Sequence, residues 1–240
     1  MKRLLVFSVF TVAIFSSCNH FWGKRINGNG NVITQTRQFS NFKGVDVSSA
    51  IHLYVKQDPA FSVKVETDEN LQQYIMVYEE NGVLYVKQEN NTNLDATGSI
   101  KVYVSAPVFN SIEASGACEV KGEGMLATPG GIDIDVSGAS KADLEVKTPK
   151  ITAEMSGASS ITLRGETKDL FLKGGGASHA KCFELLTENA DVDVSGASNA
   201  DVFASVKLDA EASGASDIRY KGGASVTPNT SGAAHIKKAD

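Results

Sequence analysis

One four-residue corner recurs seven times from residue 115 onward, and it restricts the fold more than any other feature. It reads SGAC from Ser115, SGAS from Ser137, SGAS from Ser156, GGAS from Gly175, SGAS from Ser195, SGAS from Ser213 and SGAA from Ser231. The steps between copies are 22, 19, 19, 20, 18 and 18 residues. A degenerate earlier copy, VDVSSAIHLYV from Val45, fits the same frame. A unit this small cannot bury a core of its own, so a near-constant period of this size points to a solenoid whose repeats stack on their neighbours.

Aligned on the corner, the copies show period-2 alternation, the mark of a strand with one buried face. The position before the corner holds Ala114, Val136, Met155, Gly174, Val194, Ala212 and Thr230, and the position three before holds Ile112, Ile134, Ala153, Leu172, Val192, Ala210 and Pro228. After the corner come Val120, Ala142, Ile161, Ala180, Ala200, Ile218 and Ile236, then Leu144, Leu163, Cys182, Val202 and Tyr220. Each coil therefore holds two main strands and two turns, the second turn being loops such as KTPK from Lys147. Stacked in parallel, such coils give an all-β fold, a parallel β-helix with coils of 18–22 residues. Parallel crossovers strongly favour the right hand. The corner glycines Gly116, Gly138, Gly157, Gly176, Gly196, Gly214 and Gly232 supply positive φ or close backbone approach. The alanine is expected on the inside of the bend, and the serine hydroxyls are expected to bond to their neighbours above and below.

The region before the corners differs. Over residues 28–110 the strands are longer and more aromatic: VITQTRQF from Val32, AIHLYVKQ from Ala50, FSVKVET from Phe61, YIMVYEENGVLYVKQE from Tyr74 and SIKVYVSA from Ser99. ENG at Glu80 signals a hairpin. DENLQQYI from Asp68 reads as one short helix capped by its aspartate. This half is expected to be the wider beginning of the stack and to cover its open end, whose bare edge would expose unpaired backbone. At the other end HIKKAD places two lysines on the last coil, which blunts that edge. Residues 28–240 thus form a single domain, with β-rich coils over 28–110 and SGAS coils over 111–240.

Residues 1–18, MKRLLVFSVFTVAIFSSC, read as a basic, apolar and small-residue secretory signal. FSSC resembles a bacterial lipobox, with Phe15 in place of the usual aliphatic residue, and makes Cys18 the lipidation site. Residues 19–27 are then a short tether. Acyl chains on Cys18 would make the membrane a partner, each buried methylene adding roughly 0.8 kcal/mol. The expected location is the cell envelope, lipid-anchored at the outer membrane. NHFWGKR after Cys18 carries no acid, which favours the inner face over surface display. The net charge is −5 and no basic stripe exists, so nucleic acid is not expected as a partner.

The outward column two residues before the corner runs Glu113, Asp135, Glu154, Lys173, Asp193, Glu211 and Asn229. Like charges stacked about 5 Å apart repel, so the column is either a solvated acidic face or a Ca²⁺ site with Asp133, Asp135, Asp191 and Asp193 as ligands. The column after the corner alternates in sign (Lys121, Asp143, Thr162, Lys181, Asp201, Arg219, Lys237), a pattern for inter-coil ion pairs that fix register. His52, His179 and His235 share one column, but His179 and His235 lie three coils apart, too far for shared coordination. Cys118 and Cys182 fall three coils apart in different columns and are expected as free, buried thiols. No set of Asp, Arg and His converges with the acidic column, GxSxG is absent, and repetition of the corner speaks for a scaffold. No catalytic residue, metal or cofactor is assigned.

GNGNVITQTRQFSNFKGVDVSSAIHLYV from Gly28, VETDENL from Val65, IKVYVSAPVFNSIEASGA from Ile100 and the run of SGA corners resemble the auto-transporter adhesin head GIN domain family (DUF2807-type), common in envelope lipoproteins of Bacteroidetes. The resemblance covers nearly all of the chain beyond the signal. It implies a right-handed β-helix and a role in cell adhesion, and it brings no catalytic residues. The first functional expectation is an adhesin or binding scaffold offering its surface to glycans or proteins. The alternatives are a periplasm-facing structural or signalling-associated envelope protein and, third, a polysaccharide-active enzyme.

Overall fold

The structure, a computed structural model, describes residues 23–239. The signal over residues 1–18, with Cys18, lies outside the described residues. The chain is all-β. Its first half comprises β1 (Lys24–Asn27), β2 (Val32–Arg37), β3 (Gly44–Val47), β4 (Ile51–Gln57), β5 (Ser62–Asp68), a 3-10 helix (Glu69–Tyr74), β6 (Ile75–Glu80), β7 (Val83–Gln88), β8 (Thr92–Asp95) and β9 (Ile100–Ala106). The corner-bearing half comprises β10 (Ser111–Ala114), β11 (Glu119–Ala127), β12 (Ile132–Val136), β13 (Lys141–Met155), β14 (Ser160–Gly174), β15 (His179–Val194), β16 (Asn199–Phe203), β17 (Lys207–Gly214), β18 (Asp217–Lys221), β19 (Ser225–Gly232) and β20 (His235–Lys238).

These strands stack into a parallel β-solenoid with two faces. The face leading into the corner runs β7–β3–β10–β12–β13–β14–β15–β17–β19. The face leaving it runs β9–β4–β11–β13–β14–β15–β16–β18–β20. The long strands β13, β14 and β15 run through the second turn and serve both faces. The copy at Val45 is a true coil: Val45 pairs with Ile112 and Leu53 with Val120.

The expected columns are the core. Ile112, Ile134, Ala153, Leu172, Val192 and Ala210 are buried, as are Val120, Ala142, Ile161, Ala180, Ala200 and Ile218. At the last coil Pro228 and Thr230 are exposed, and β20, carrying Lys237 and Lys238, pairs among the described residues with β18 alone. Cys118 and Cys182 are free and buried, and burial pushes the Cys182 thiol up to about 12.

The parallel ladder continues through the corner. The N–H of Ala139 donates to the Gly116 carbonyl, that of Ala158 to Gly138, and that of Ala177 to Gly157, at 2.7–2.8 Å. Every corner glycine has positive φ, from 72° at Gly138 to 84° at Gly116. The alanine departs from expectation. Ala139, Ala158, Ala177, Ala197 and Ala215 are exposed, while the fourth corner residue points inward as Cys118, Ser140, Ser159, Ser178, Ser198 and Ser216. One left-handed residue swings two successive positions outward, which breaks the alternation at that point. The expected hydroxyl stacking occurs on this inner column, where Ser178 donates to Ser198 at 3.1 Å. The second turn has its own inward column, Thr128, Thr148, Thr167 and Thr187, all buried.

The first half covers one end of the stack, but not in chain order. β7 and β9 follow β3 and β4 in sequence, yet they lie on the side of β3–β4 away from β10–β11. Antiparallel strands finish this end: β5 on β9, β2 on β5, and the β6–β7 hairpin turning at Asn81–Gly82. β1, within the stretch read as tether, pairs with β8, so ordered structure begins before Gly28.

The helix expected after Asp68 is a 3-10 turn, and the Asp68 side chain does not cap it. Its carboxylate instead accepts from the Gly30 N–H at 2.8 Å, the Thr97 N–H at 2.9 Å and the Thr97 hydroxyl at 2.7 Å. A buried acceptor with three donors from two separate segments is worth more to the fold than one helix cap.

Candidate binding surface

The acidic column stands as the spacing predicts. Asp46, Glu113, Asp135 and Glu154 face one another in consecutive coils, followed by Lys173, Asp193, Glu211 and Asn229. The adjoining column holds Ser111, Asp133, Thr152, Phe171, Asp191 and Asp209. Asp135 and Asp193 are thus separated by Glu154 and Lys173, and Asp133 and Asp191 by Thr152 and Phe171. Among the described residues no group of three or more His, Cys, Asp or Glu closes on a point that would hold a metal.

Burial pushes the carboxyls of Asp46, Glu113 and Asp135 above their ordinary range, and facing carboxylates add to it, with Lys87 drawing Asp46 partly back. A carboxyl raised in the folded state binds its proton more readily there. These three therefore lower stability at neutral pH, and they add stability as pH falls through their folded pKa toward the unfolded value. Glu113→Gln and Asp135→Asn are each expected to raise stability at pH 7 by roughly 0.2–1 kcal/mol, with smaller gains at high salt, as read by thermal melts at two ionic strengths.

The mixed column also stands: Lys121, Asp143, Thr162, Lys181, Asp201, Arg219 and Lys237 face one another in order. Its strongest link is the two-pronged Arg219–Asp201 pair, at 2.7 and 2.6 Å, with the Asp201 side chain only 8% exposed. Arg164 bonds to Asp143 and pairs with Glu184 at 3.2 Å. His52, His179 and His235 share their column, and His52 pairs with Glu119 at 2.9 Å rather than with another histidine.

Two bulges disturb this face. On β15 one extra residue between Lys181 and Glu184 turns Phe183 outward beneath Arg219 and Lys221. On β11, four steps from Lys121 to Met125 face two from Asp143 to Glu145 on β13. The inserted segment, Gly122-Glu123-Gly124, projects Glu123 and has φ of 97° at Gly124. Bulges of this kind re-aim side chains, often beside binding sites.

Glu123 borders a groove of about 550 Å³ on the capped end of this face. Its lining comes from five neighbouring strands, β2, β5, β9, β4 and β11, and includes Tyr54, Tyr103, Lys56, Lys64 and Glu66. Tyr103 and Tyr54 are ladder partners, and their rings stack with centroids 4.9 Å apart and planes 17° apart. Burial and the Glu66 charge raise the Tyr103 phenol. A second groove, about 630 Å³, follows the threonine turn beside Leu186 and Phe203. A third, about 270 Å³, lies on the acidic face beside Lys173, where Gly175 leaves room. Neither Tyr54 nor Tyr103 stands out in the sequence, because the strands that join them are separated by the whole cap.

No curated protein matches the chain. Solved structures do. A "putative adhesin" from Bacteroides fragilis superposes with a TM-score of 0.85 at 20% identity, over 89% of this chain and 100% of that one. A "putative adhesin" from Parabacteroides distasonis gives 0.74 at 20% identity, over 90% and 100%. A "putative lipid binding protein" from the same species gives 0.73 at 20% identity, over 90% and 100%. At these identities the likeness is one of fold. The family model described as "Putative auto-transporter adhesin, head GIN domain" matches residues 41–224, which takes in every strand from β3 through β18. The chain belongs to the head GIN domain family.

Proposed function

We propose that this chain is a non-catalytic, lipid-anchored binding protein of the cell envelope, held at the outer membrane through Cys18, whose solenoid presents adhesion surfaces to glycans or proteins. Family membership over residues 41–224 carries the adhesin part of this reading, and the FSSC segment supports the anchor. The architecture supports the adhesin part. Apart from the two bulges, the backbone ladder continues through the corners, so the rod is stiff and most outward side chains stand at a regular pitch. A repeated surface of this kind suits extended ligands.

Protease treatment of intact cells, with a lysed-cell control and a blot for this protein, tests the placement. On the adhesin reading the protein is lost from intact cells. Protection until lysis would put the rod on the inner face, where the acid-free NHFWGKR segment after Cys18 points, and would replace the adhesin by a periplasm-facing scaffold.

A further inference from the structure

We propose that the groove over Tyr54 and Tyr103 binds a neutral, hydroxyl-rich glycan. This deepens the adhesin reading and rests on it for its biological setting, though the binding itself is a property of the purified protein.

The groove's volume, about 550 Å³, lies within the range of small-molecule sites. Its lining is aromatic: two half-buried phenol rings, stacked on one another across neighbouring strands, border it and leave their outer faces and edges to a ligand. Sugar rings carry patches of C–H that pack on aromatic surface, and hydroxyls that both donate and accept. The rim meets both needs. Lys56 and Lys64 donate, while Glu66 and Glu123 accept. Lys101 holds Glu66 in place at 2.8 Å. Lys64 and Glu123, by contrast, enter no ion pair among the described residues, so their hydrogen-bonding capacity is open to a ligand. Because both signs line the groove, a polyanion would meet Asp58, Glu66 and Glu123 and gain little over a neutral chain. Glu123 owes its position to the bulge on β11, an insertion that no neighbouring coil needs for stacking. The two other grooves lack a paired-ring lining.

The test uses the purified protein and a panel of neutral gluco-, manno-, xylo- and galacto-oligosaccharides, with a sulfated glycan for comparison. Saturation-transfer NMR reads contact with ring C–H protons, and calorimetry reads affinity. At least one neutral oligosaccharide is expected to bind more tightly than the sulfated one. Tyr54→Ala and Tyr103→Ala should each weaken it about tenfold or more. Lys64→Ala and Glu123→Gln, which alter solvent-facing groups and leave the stack intact, should weaken it as well. Glu154→Gln on the opposite face should leave it unchanged. The proposal is overturned if no neutral oligosaccharide binds, if the sulfated glycan binds more tightly, or if binding survives all four groove variants. Protease protection in intact cells would overturn the adhesin reading while leaving a positive binding result standing, so the two failures are distinguishable.

Discussion

Replacing Gly157 by alanine is expected to destabilise the protein by roughly 2–5 kcal/mol. Two costs add. The residue sits at φ 75°, where a side chain carries a left-handed penalty. A Cβ there would also stand 2.6 Å from the Gly138 carbonyl oxygen of the coil below. That oxygen cannot move aside, because it accepts the Ala158 N–H at 2.7 Å as part of the ladder through the corner. The same collision recurs at Gly138, Gly176, Gly196 and Gly214, at 2.5–2.7 Å, each time against the oxygen of the corner beneath. Glycine is thus required by stacking as well as by φ. Ser49 is the instructive exception. It holds the same left-handed position, at φ 87°, in the coil copied from Val45. It is tolerated because β7, the strand below β3, makes no SGA corner for its Cβ to strike. Ser49→Gly should therefore stabilise, by about 1 kcal/mol, less whatever is lost with the long 3.4 Å bond from the Gln88 N–H to its hydroxyl. Gly98→Ala, with open space around its Cβ and no positive φ, should change little. Urea unfolding of the three variants checks the ordering.

The repeat makes the corner half legible because seven copies align one another. Each outward and inward column from Glu113 to Asn229 and from Val120 to Ile218 can be read by counting. What escapes the count is whatever breaks the period. The exposed corner alanines escape because a left-handed residue interrupts alternation for two positions. The cap escapes in its order: β5 to β9 contain no corner, so nothing in the sequence shows that β7 and β9 turn back beyond β3 and β4. The Tyr54–Tyr103 pair depends on that turning back and is hidden with it. Other signals are present but easily passed over. Threonines at 128, 148, 167 and 187 keep the coil period at the second turn. The bulge behind Glu123 shows as a first step of 22 residues where later ones are 18–20. DENL looks like a capped helix; only the fold shows that the GNGN segment from Gly28 wraps its aspartate.

That aspartate carries the second large effect. Asp68→Ala should destabilise the capped end by roughly 2–4 kcal/mol, since it removes the bonds from the Gly30 N–H, the Thr97 N–H and the Thr97 hydroxyl, each worth about 0.5–1.5 kcal/mol net because Gly30 and Thr97 are exposed and water can reach their donors. Asp68 has no exposed surface, and its carboxylate fills the space where a Gly28 side chain would lie, 2.4 Å from that Cβ position. In a solenoid each coil leans mainly on its neighbours. Hydrogen-exchange protection should therefore fall in β1, β2, β5 and β8 and persist in β14 and β15; uniform loss along the rod would show that the cap and the coils unfold as one unit. The pH dependence gives an independent check. Burial alone would push the Asp68 carboxyl up, but the bonds from Thr97 and Gly30 outweigh it and hold it below the usual carboxylate range. A depressed folded pKa means stability that is present above the unfolded value, about 3.9, and lost as pH falls through the folded pKa. The acidic column has the opposite sign. On acidification from neutral, wild-type stability should first rise as Asp46, Glu113 and Asp135 take up protons, then fall as Asp68 does. Asp68→Ala should lack its share of the fall, and Glu113→Gln with Asp135→Asn should flatten the rise. A fall that persists unchanged in Asp68→Ala would mean that acid attacks the coils before it reaches the cap.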